Sequence, residues 1–126
     1  MYKMLIVDDN AAETECMQFL VQKFAFPLTT RIACNGQEAL GMFKREKFDI
    51  LLTDIKMPYM DGLELSKLVR KMDTEIPIIL FSGFSEFSYA RAAISLDVLE
   101  YLLKPVDPDE FKQTITSVLQ SIDKNI

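Results

Sequence analysis

Five short runs rich in Ile, Leu and Val alternate with stretches whose apolar residues repeat at helical spacing, and this alternation constrains the fold of the 126-residue chain most. The runs are Lys3–Val7, Thr29–Ala33, Asp49–Thr53, Ile76–Phe81 and Glu100–Leu103. Several lack the apolar–polar alternation of a strand with one wet face, so they predict strands buried on both sides. Between them, Met17, Leu20, Val21 and Phe24 fall at i, i+3, i+4 and i+7. Leu65, Leu68, Val69 and Met72 repeat that spacing, and Phe111, Ile115, Val118 and Ile122 nearly do.

Helix starts are marked as well. Asn10 with Glu13, Asn35 with Glu38 and Asp61 with Glu64 read as capping boxes. Asp107 followed by Pro108 and Glu110 puts a cap, a proline and an acid where a last helix begins, and Ser85 is the candidate cap of a fourth. Strand and helix thus alternate throughout. That order predicts an α/β three-layer sandwich, a parallel sheet with helices on both faces. Five strands and five helices fit the flavodoxin-like strand order 2-1-3-4-5.

The length suits one domain, residues 1–126, with a core of its own. No apolar run approaches the ~20 residues of a membrane span. The start, MYKMLIVDDN, enters a strand directly, and a cytoplasmic location is expected. Net charge is −5, which argues against this segment gripping a nucleic-acid backbone by itself. Histidine is absent, so the commonest general base and zinc ligand are missing and no phosphohistidine carrier is possible here. Cys16 and Cys34 lack metal-ligand spacing and read as reduced thiols in or near the core.

Chemistry in an open parallel sheet gathers at the carboxyl ends of the strands, near the switch point. Strand 1 ends in Asp8–Asp9, strand 3 in Asp54, strand 4 in Ser82–Gly83 and strand 5 in Lys104–Pro105. Aspartates ahead of helices are usually caps. Here Asn10 and Asp61 already fill that role, and Asp54 lies too far from its helix to cap it. Two carboxylates ~5 Å apart repel by roughly 3 kcal/mol at an effective dielectric near 20. One lysine offsets part of this, and a divalent cation offsets more. All-oxygen ligands select Mg²⁺, with Mn²⁺ able to substitute, and Mg²⁺ favours phosphate partners. A carboxylate beside the metal can itself take the phosphoryl group, with Lys104 offsetting the charge in transfer. No Gly-rich phosphate loop is present, which argues against a nucleotide donor.

In order and at these separations, "LIVDDN", "LLTDIKMPYMDGLEL", "IILFSG" and "YLLKP" resemble the receiver domain of two-component response regulators over essentially the whole chain. The stretch "SGFSEFSYARAAISLDVLEYLLKPVDPDEF" is similar to receivers that precede AraC-type (YesN-like) DNA-binding domains. The resemblance implies a phosphorylation-switched signalling domain for transcription regulation rather than a free-standing enzyme. Asp54 would accept phosphate from a phosphohistidine on a sensor kinase. Asp9, Asp54 and the Lys56 backbone carbonyl would hold Mg²⁺, with Asp8 acting through water. Lys104 would pair with Asp54 and then with its phosphoryl group. Ser82 would bond a phosphoryl oxygen, Tyr101 would follow from an outward to an inward rotamer, and Pro105 would be cis. The fourth helix, fifth strand and fifth helix would form an output or homodimer face, and DNA would be met only by a C-terminal domain.

Some positions depart from the family's pattern. Asn10 stands where many members carry a third acid, which predicts a less acidic metal site. Tyr59 stands where a small residue is common, and would shield or crowd the site. The fourth helix is apolar nearly all round, with Phe84, Phe87, Tyr89, Ile94 and Leu96 among small residues. Two other readings compete with the effector-linked switch. One is a stand-alone phosphorelay receiver. The other is an Asp-nucleophile hydrolase, which is disfavoured because Lys56 occupies the place of the acid such enzymes carry two residues on.

Overall fold

The computed structural model describes residues 1–83 and 100–124. The elements, in chain order, are β1 (Tyr2–Val7), α1 (Ala11–Lys23), β2 (Leu28–Ala33), α2 (Gly36–Arg45), β3 (Ile50–Asp54), α3 (Gly62–Met72), β4 (Ile78–Ser82), β5 (Glu100–Leu103) and α4 (Pro108–Lys124). The strands form one parallel sheet in the order β2-β1-β3-β4-β5, the flavodoxin-like order. Four helices are present among the described residues, against five expected. The expected fourth helix, with its Ser85 cap and its apolar surface, lies outside them.

Each central strand serves two cores by alternation. Met4, Ile6, Ile50, Leu52, Ile79 and Phe81 face one way and pack with α1 and α4. Leu5, Val7, Leu51, Ile78 and Leu80 face the other way and pack with α2 and α3. Both sets are buried, which is why these strands read as continuous apolar runs. β3 and β4 are buried along their whole lengths.

Three helix starts carry the caps expected of them. Asn10 Oδ1 accepts from the Ala12 and Glu13 N–H groups, Asn35 Oδ1 from Glu38, and Asp61 Oδ1 from Glu64. Before α4, Asp107 accepts from Asp109 N–H and Pro108 takes the first helical position. Two expectations need correction. Met72 is 45% exposed, because α3 ends there and the chain turns away at Asp73. Cys16 and Cys34 are free and exposed rather than core thiols. Cys16 lies beside the Met17, Leu20 and Val21 stripe of α1, and Cys34 lies in the loop after β2.

Phe111 shows how α4 is held. Its ring is fully buried and meets Phe26 edge-on at 6.5 Å between centroids. Replacing it by alanine should cost ~3–5 kcal/mol, a large share of a typical total of ~5–15 kcal/mol. The urea midpoint of Phe111→Ala should fall with little change in slope, because the fold itself is kept.

Candidate functional site

The strand ends do converge. Asp8 follows β1 directly, and its backbone N–H reaches the Ala33 carbonyl of β2. Asp54 is the last residue of β3 and Ser82 the last of β4, one register further than the apolar runs suggested. Lys104 follows β5, tied by its N–H to the Ser82 carbonyl at 2.9 Å, and the Lys104–Pro105 peptide is cis. Asp8, Asp54 and Ser82 are all buried.

Lys104 lies among three carboxylates. Its Nζ is 3.0 Å from Asp54 Oδ2, 2.7 Å from Glu13 Oε2 and 3.8 Å from Asp8 Oδ2. The same ammonium stands 5.2 Å from the centre of the Phe81 ring. Oxygens of Asp8, Glu13 and Asp54 lie within 4.8 Å of one another. Hard oxygen donors this close suit a divalent cation of the Mg²⁺ type.

Glu13 was not foreseen here. Read as the partner acid of a capping box, it should reach back to the Asn10 N–H. In the structure that N–H donates to Asp8 Oδ1 at 2.9 Å, and Glu13 turns into the pocket. The pocket therefore holds a third carboxylate although position 10 is Asn. The sequence offers one signal for this: Glu13 is in the first turn of the helix that follows the Asp8–Asp9 strand.

Other expected residues lie apart from this cluster. Asp9 is exposed and is not one of the three clustered carboxylates. Lys56 is exposed on the loop after β3. Tyr59 is 91% exposed, so it packs on nothing that it could shield, and it adopts φ 72°, a left-handed conformation uncommon for a side-chain-bearing residue. Ser82 Oγ and the Tyr101 hydroxyl are hydrogen-bonded to each other, which turns Tyr101 towards β4.

The charges tune one another. Burial raises the Asp8 carboxyl to a pKa of about 8, helped by its contact with Glu13 and by repulsion from Asp54. Burial also works against the Glu13 carboxylate, but its bonds to Asp8 and Lys104 outweigh that and hold its pKa below the ordinary value. Burial disfavours the Lys104 ammonium too. Hydrogen bonds to Glu13 and Asp54, with the pull of Asp54 and Asp8, win and raise its pKa.

The loop that carries Lys56 is closed by a glycine. Gly62 N–H donates to the Ile55 carbonyl at 2.7 Å, and a Cβ on Gly62 would stand 2.0 Å from the Asp54 carbonyl oxygen. That oxygen is backbone and cannot swing aside, so the glycine seats the loop against the end of β3.

A five-stranded parallel sheet in flavodoxin-like order with a lysine-bridged carboxylate pocket at its strand ends defines an α/β domain with a candidate site for a hard cation. Comparison with known proteins narrows this. The response regulator receiver domain family matches residues 4–116, and the chain belongs to that family. It is 34% identical over 124 residues to the uncharacterised transcriptional regulatory protein YesN of Bacillus subtilis, covering 97% of this chain and 33% of that protein. It is 30% identical over 115 residues to the transcriptional regulatory protein ZraR of Salmonella typhimurium, covering 91% of this chain and 26% of that one. The chain thus spans about a quarter to a third of these two relatives. Among solved structures, the receiver domain of AraT, a response regulator of Geobacillus stearothermophilus, superposes with a TM-score of 0.90 at 36% identity over 98% of this chain and 97% of that one. The chemotaxis response regulator CheY4 of Vibrio cholerae superposes at 0.84 with 26% identity, covering 94% of this chain and 98% of that one. Among the described residues no helix is long and apolar enough to cross a membrane.

Two outcomes follow for stability. An unfolded Asp8 titrates near 4, whereas the folded one holds its proton up to about 8. Between those values the folded chain binds the extra proton. Stability from this group is therefore greatest at the acid end and declines as pH rises to about 8, by at most ~1.4 kcal/mol per pH unit. Thermal melts in EDTA should show a lower midpoint at pH 8 than at pH 5.5, and Asp8→Asn should flatten that slope. Gly62→Ala should lower stability by about 1–3 kcal/mol or more in urea melts, since the β3–α3 loop must move off the Asp54 carbonyl.

Proposed function

We propose that this receiver takes a phosphoryl group on Asp54 from a phosphohistidine of a partner sensor kinase and uses it to switch an attached output. The phosphorus–nitrogen bond of the donor breaks, a bond from phosphorus to Asp54 Oδ forms, and the imidazole departs as the leaving group. One observation carries this reading: the Lys104 ammonium is held 3.0 Å from the Asp54 carboxylate at the buried end of β3. That ammonium stands where charge on incoming phosphoryl oxygens needs an opposite charge.

Asp9, Asp54 and the Lys56 backbone carbonyl, with Asp8 through water, would hold Mg²⁺, or Mn²⁺ in its place. The oxygen-only donor set around Asp8 and Asp54 supports a hard cation. When bound, the ion offsets charge on the phosphoryl oxygens. Ser82 then supplies its hydroxyl to a phosphoryl oxygen, exchanging its present bond with Tyr101. The readout would be the face of β5 and α4, together with the expected fourth helix, which lies outside the described residues, and it would serve a homodimer or an output domain. Likeness to part of YesN, a transcriptional regulatory protein, supports an output in transcription regulation, and the resemblance of the stretch from Ser82 to Phe111 to receivers that precede AraC-type domains favours a C-terminal DNA-binding domain of that type. The domain then works as a cytoplasmic signalling switch, catalysing only its own phosphorylation and dephosphorylation.

A second reading is a stand-alone receiver, and the match to 98% of the CheY4 chain favours it. Whether the native gene continues past Ile126 separates the two.

Incubation with Mg²⁺ and a small phosphodonor, followed by intact-mass spectrometry, tests the central step. Wild type should gain a single phosphate adduct that EDTA prevents, and Asp54→Ala should gain none. An adduct on both proteins would move the acceptor elsewhere.

A further inference from the structure

Glu13 belongs to the carboxylate cluster but has no part in the proposed phosphoryl transfer, yet it makes the shortest ion pair in the pocket. Lys104 Nζ lies 2.7 Å from Glu13, 3.0 Å from Asp54 and 3.8 Å from Asp8. The three acids come from separate segments: the first turn of α1, the end of β3 and the residue after β1. Helix polarity alone favours an acid in the first turn of α1. It does not explain why that acid turns inward to the lysine and leaves the Asn10 N–H to Asp8.

The difficulty this arrangement meets is electrostatic. Asp54 cannot give its oxygens to a divalent cation while it also holds the ammonium at full strength, because the two positive charges would stand a few ångströms apart. Asp8 offers only a longer contact, at 3.8 Å, so without Glu13 the ammonium would mostly keep its grip on Asp54 or leave the pocket. Glu13 gives it a third choice within 4.8 Å of the same carboxylates.

We propose that Glu13 is a positioning residue of the pocket, whose carboxylate carries Lys104 when the ammonium yields Asp54 to a divalent cation and keeps the lysine within reach of the phosphoryl group. This inference rests on the phosphoacceptor reading of Asp54 and adds to it a device that sets how readily the pocket accepts its cation. Glutamine at this position would keep the shape and the helix start and lose the charge.

The test uses Mg²⁺ alone as the probe. Calorimetric titrations of wild type, Glu13→Gln, Lys104→Met and the double variant form a cycle. Glu13→Gln should weaken Mg²⁺ binding about five- to tenfold, because Lys104 then has only Asp54 and Asp8 to hold. Lys104→Met should tighten binding in both backgrounds, and by at least about threefold more in the Glu13→Gln background. Unchanged affinity in Glu13→Gln, or equal tightening in both backgrounds, would overturn the proposal; equal tightening is what a plain charge or a direct metal ligand would give. A measurement on the unsubstituted chain makes the result independent of how the variants fold. In Mg²⁺-saturated protein the Lys104 ammonium protons should exchange more slowly by NMR than those of surface lysines. Exchange at the surface rate would sink the idea. Phosphodonor labelling of the same wild-type sample separates the two readings. No adduct on Asp54 defeats the phosphoacceptor reading. A normal adduct with an unresponsive Mg²⁺ titration defeats only the role of Glu13.

Discussion

The pocket depends on one ammonium shared by carboxylates from three parts of the chain. Asp8, Glu13 and Asp54 repel one another at these separations, and a buried charge without a partner is costly. Lys104 is the counter-ion that lets them coexist, and its raised pKa reflects how strongly they hold it. Even so, one positive charge does not neutralise three acids, and Asp8 answers by keeping its proton to about pH 8. A pocket left short of positive charge is suited to a cation that comes and goes. The same feature that weakens the resting fold near Asp8 makes the site responsive.

The rest of the architecture serves to bring these residues together. Parallel pairing puts every strand's carboxyl end on one edge, so residues far apart in sequence arrive side by side. β1 and β3 are neighbours in the sheet, which sets Asp8 beside Asp54. β4 and β5 are neighbours, which sets Ser82 beside Lys104, and the Lys104 N–H bond to the Ser82 carbonyl fixes that end. Gly62 closes the loop after β3 so tightly that no side chain fits against the Asp54 carbonyl. The apolar layers on both faces hold the strands, and the polar atoms at their ends inherit that rigidity.

Much of this was legible in the residues, for physical reasons. Doubly buried strands read as Ile, Leu and Val runs because neither face meets water, and the Asn10, Asn35 and Asp61 caps announce themselves by hydrogen-bonding chemistry. Asp54 was legible because a carboxylate ending an apolar strand needs a reason. Glu13 was not, because the capping-box pattern explains it locally and the competing bond from Asn10 to Asp8 depends on where β1 ends in space. The exposure of Cys16 and Met72 was missed for a related reason. Helical spacing locates a stripe but not its edges, which tertiary contacts decide.

β5 is the element through which a change at Asp54 would travel on the proposed reading. It carries Tyr101, whose hydroxyl meets Ser82, and it leads into Lys104, which meets Asp54. Both contacts fall at the strand ends where a phosphoryl group would make new demands. The group adds about −1.5 to −2 charge by analogy with other phosphoresidues, and it claims the same hydroxyl and the same ammonium. Ser82 cannot serve Tyr101 and a phosphoryl oxygen equally well, and Lys104 cannot serve Glu13 and that oxygen equally well. Each competition makes one arrangement favourable before phosphorylation and another after it, which is the condition for a ligand to shift a population. A difference of ~1–3 kcal/mol between the arrangements is enough for a switch, and a single charge-assisted hydrogen bond lies in that range.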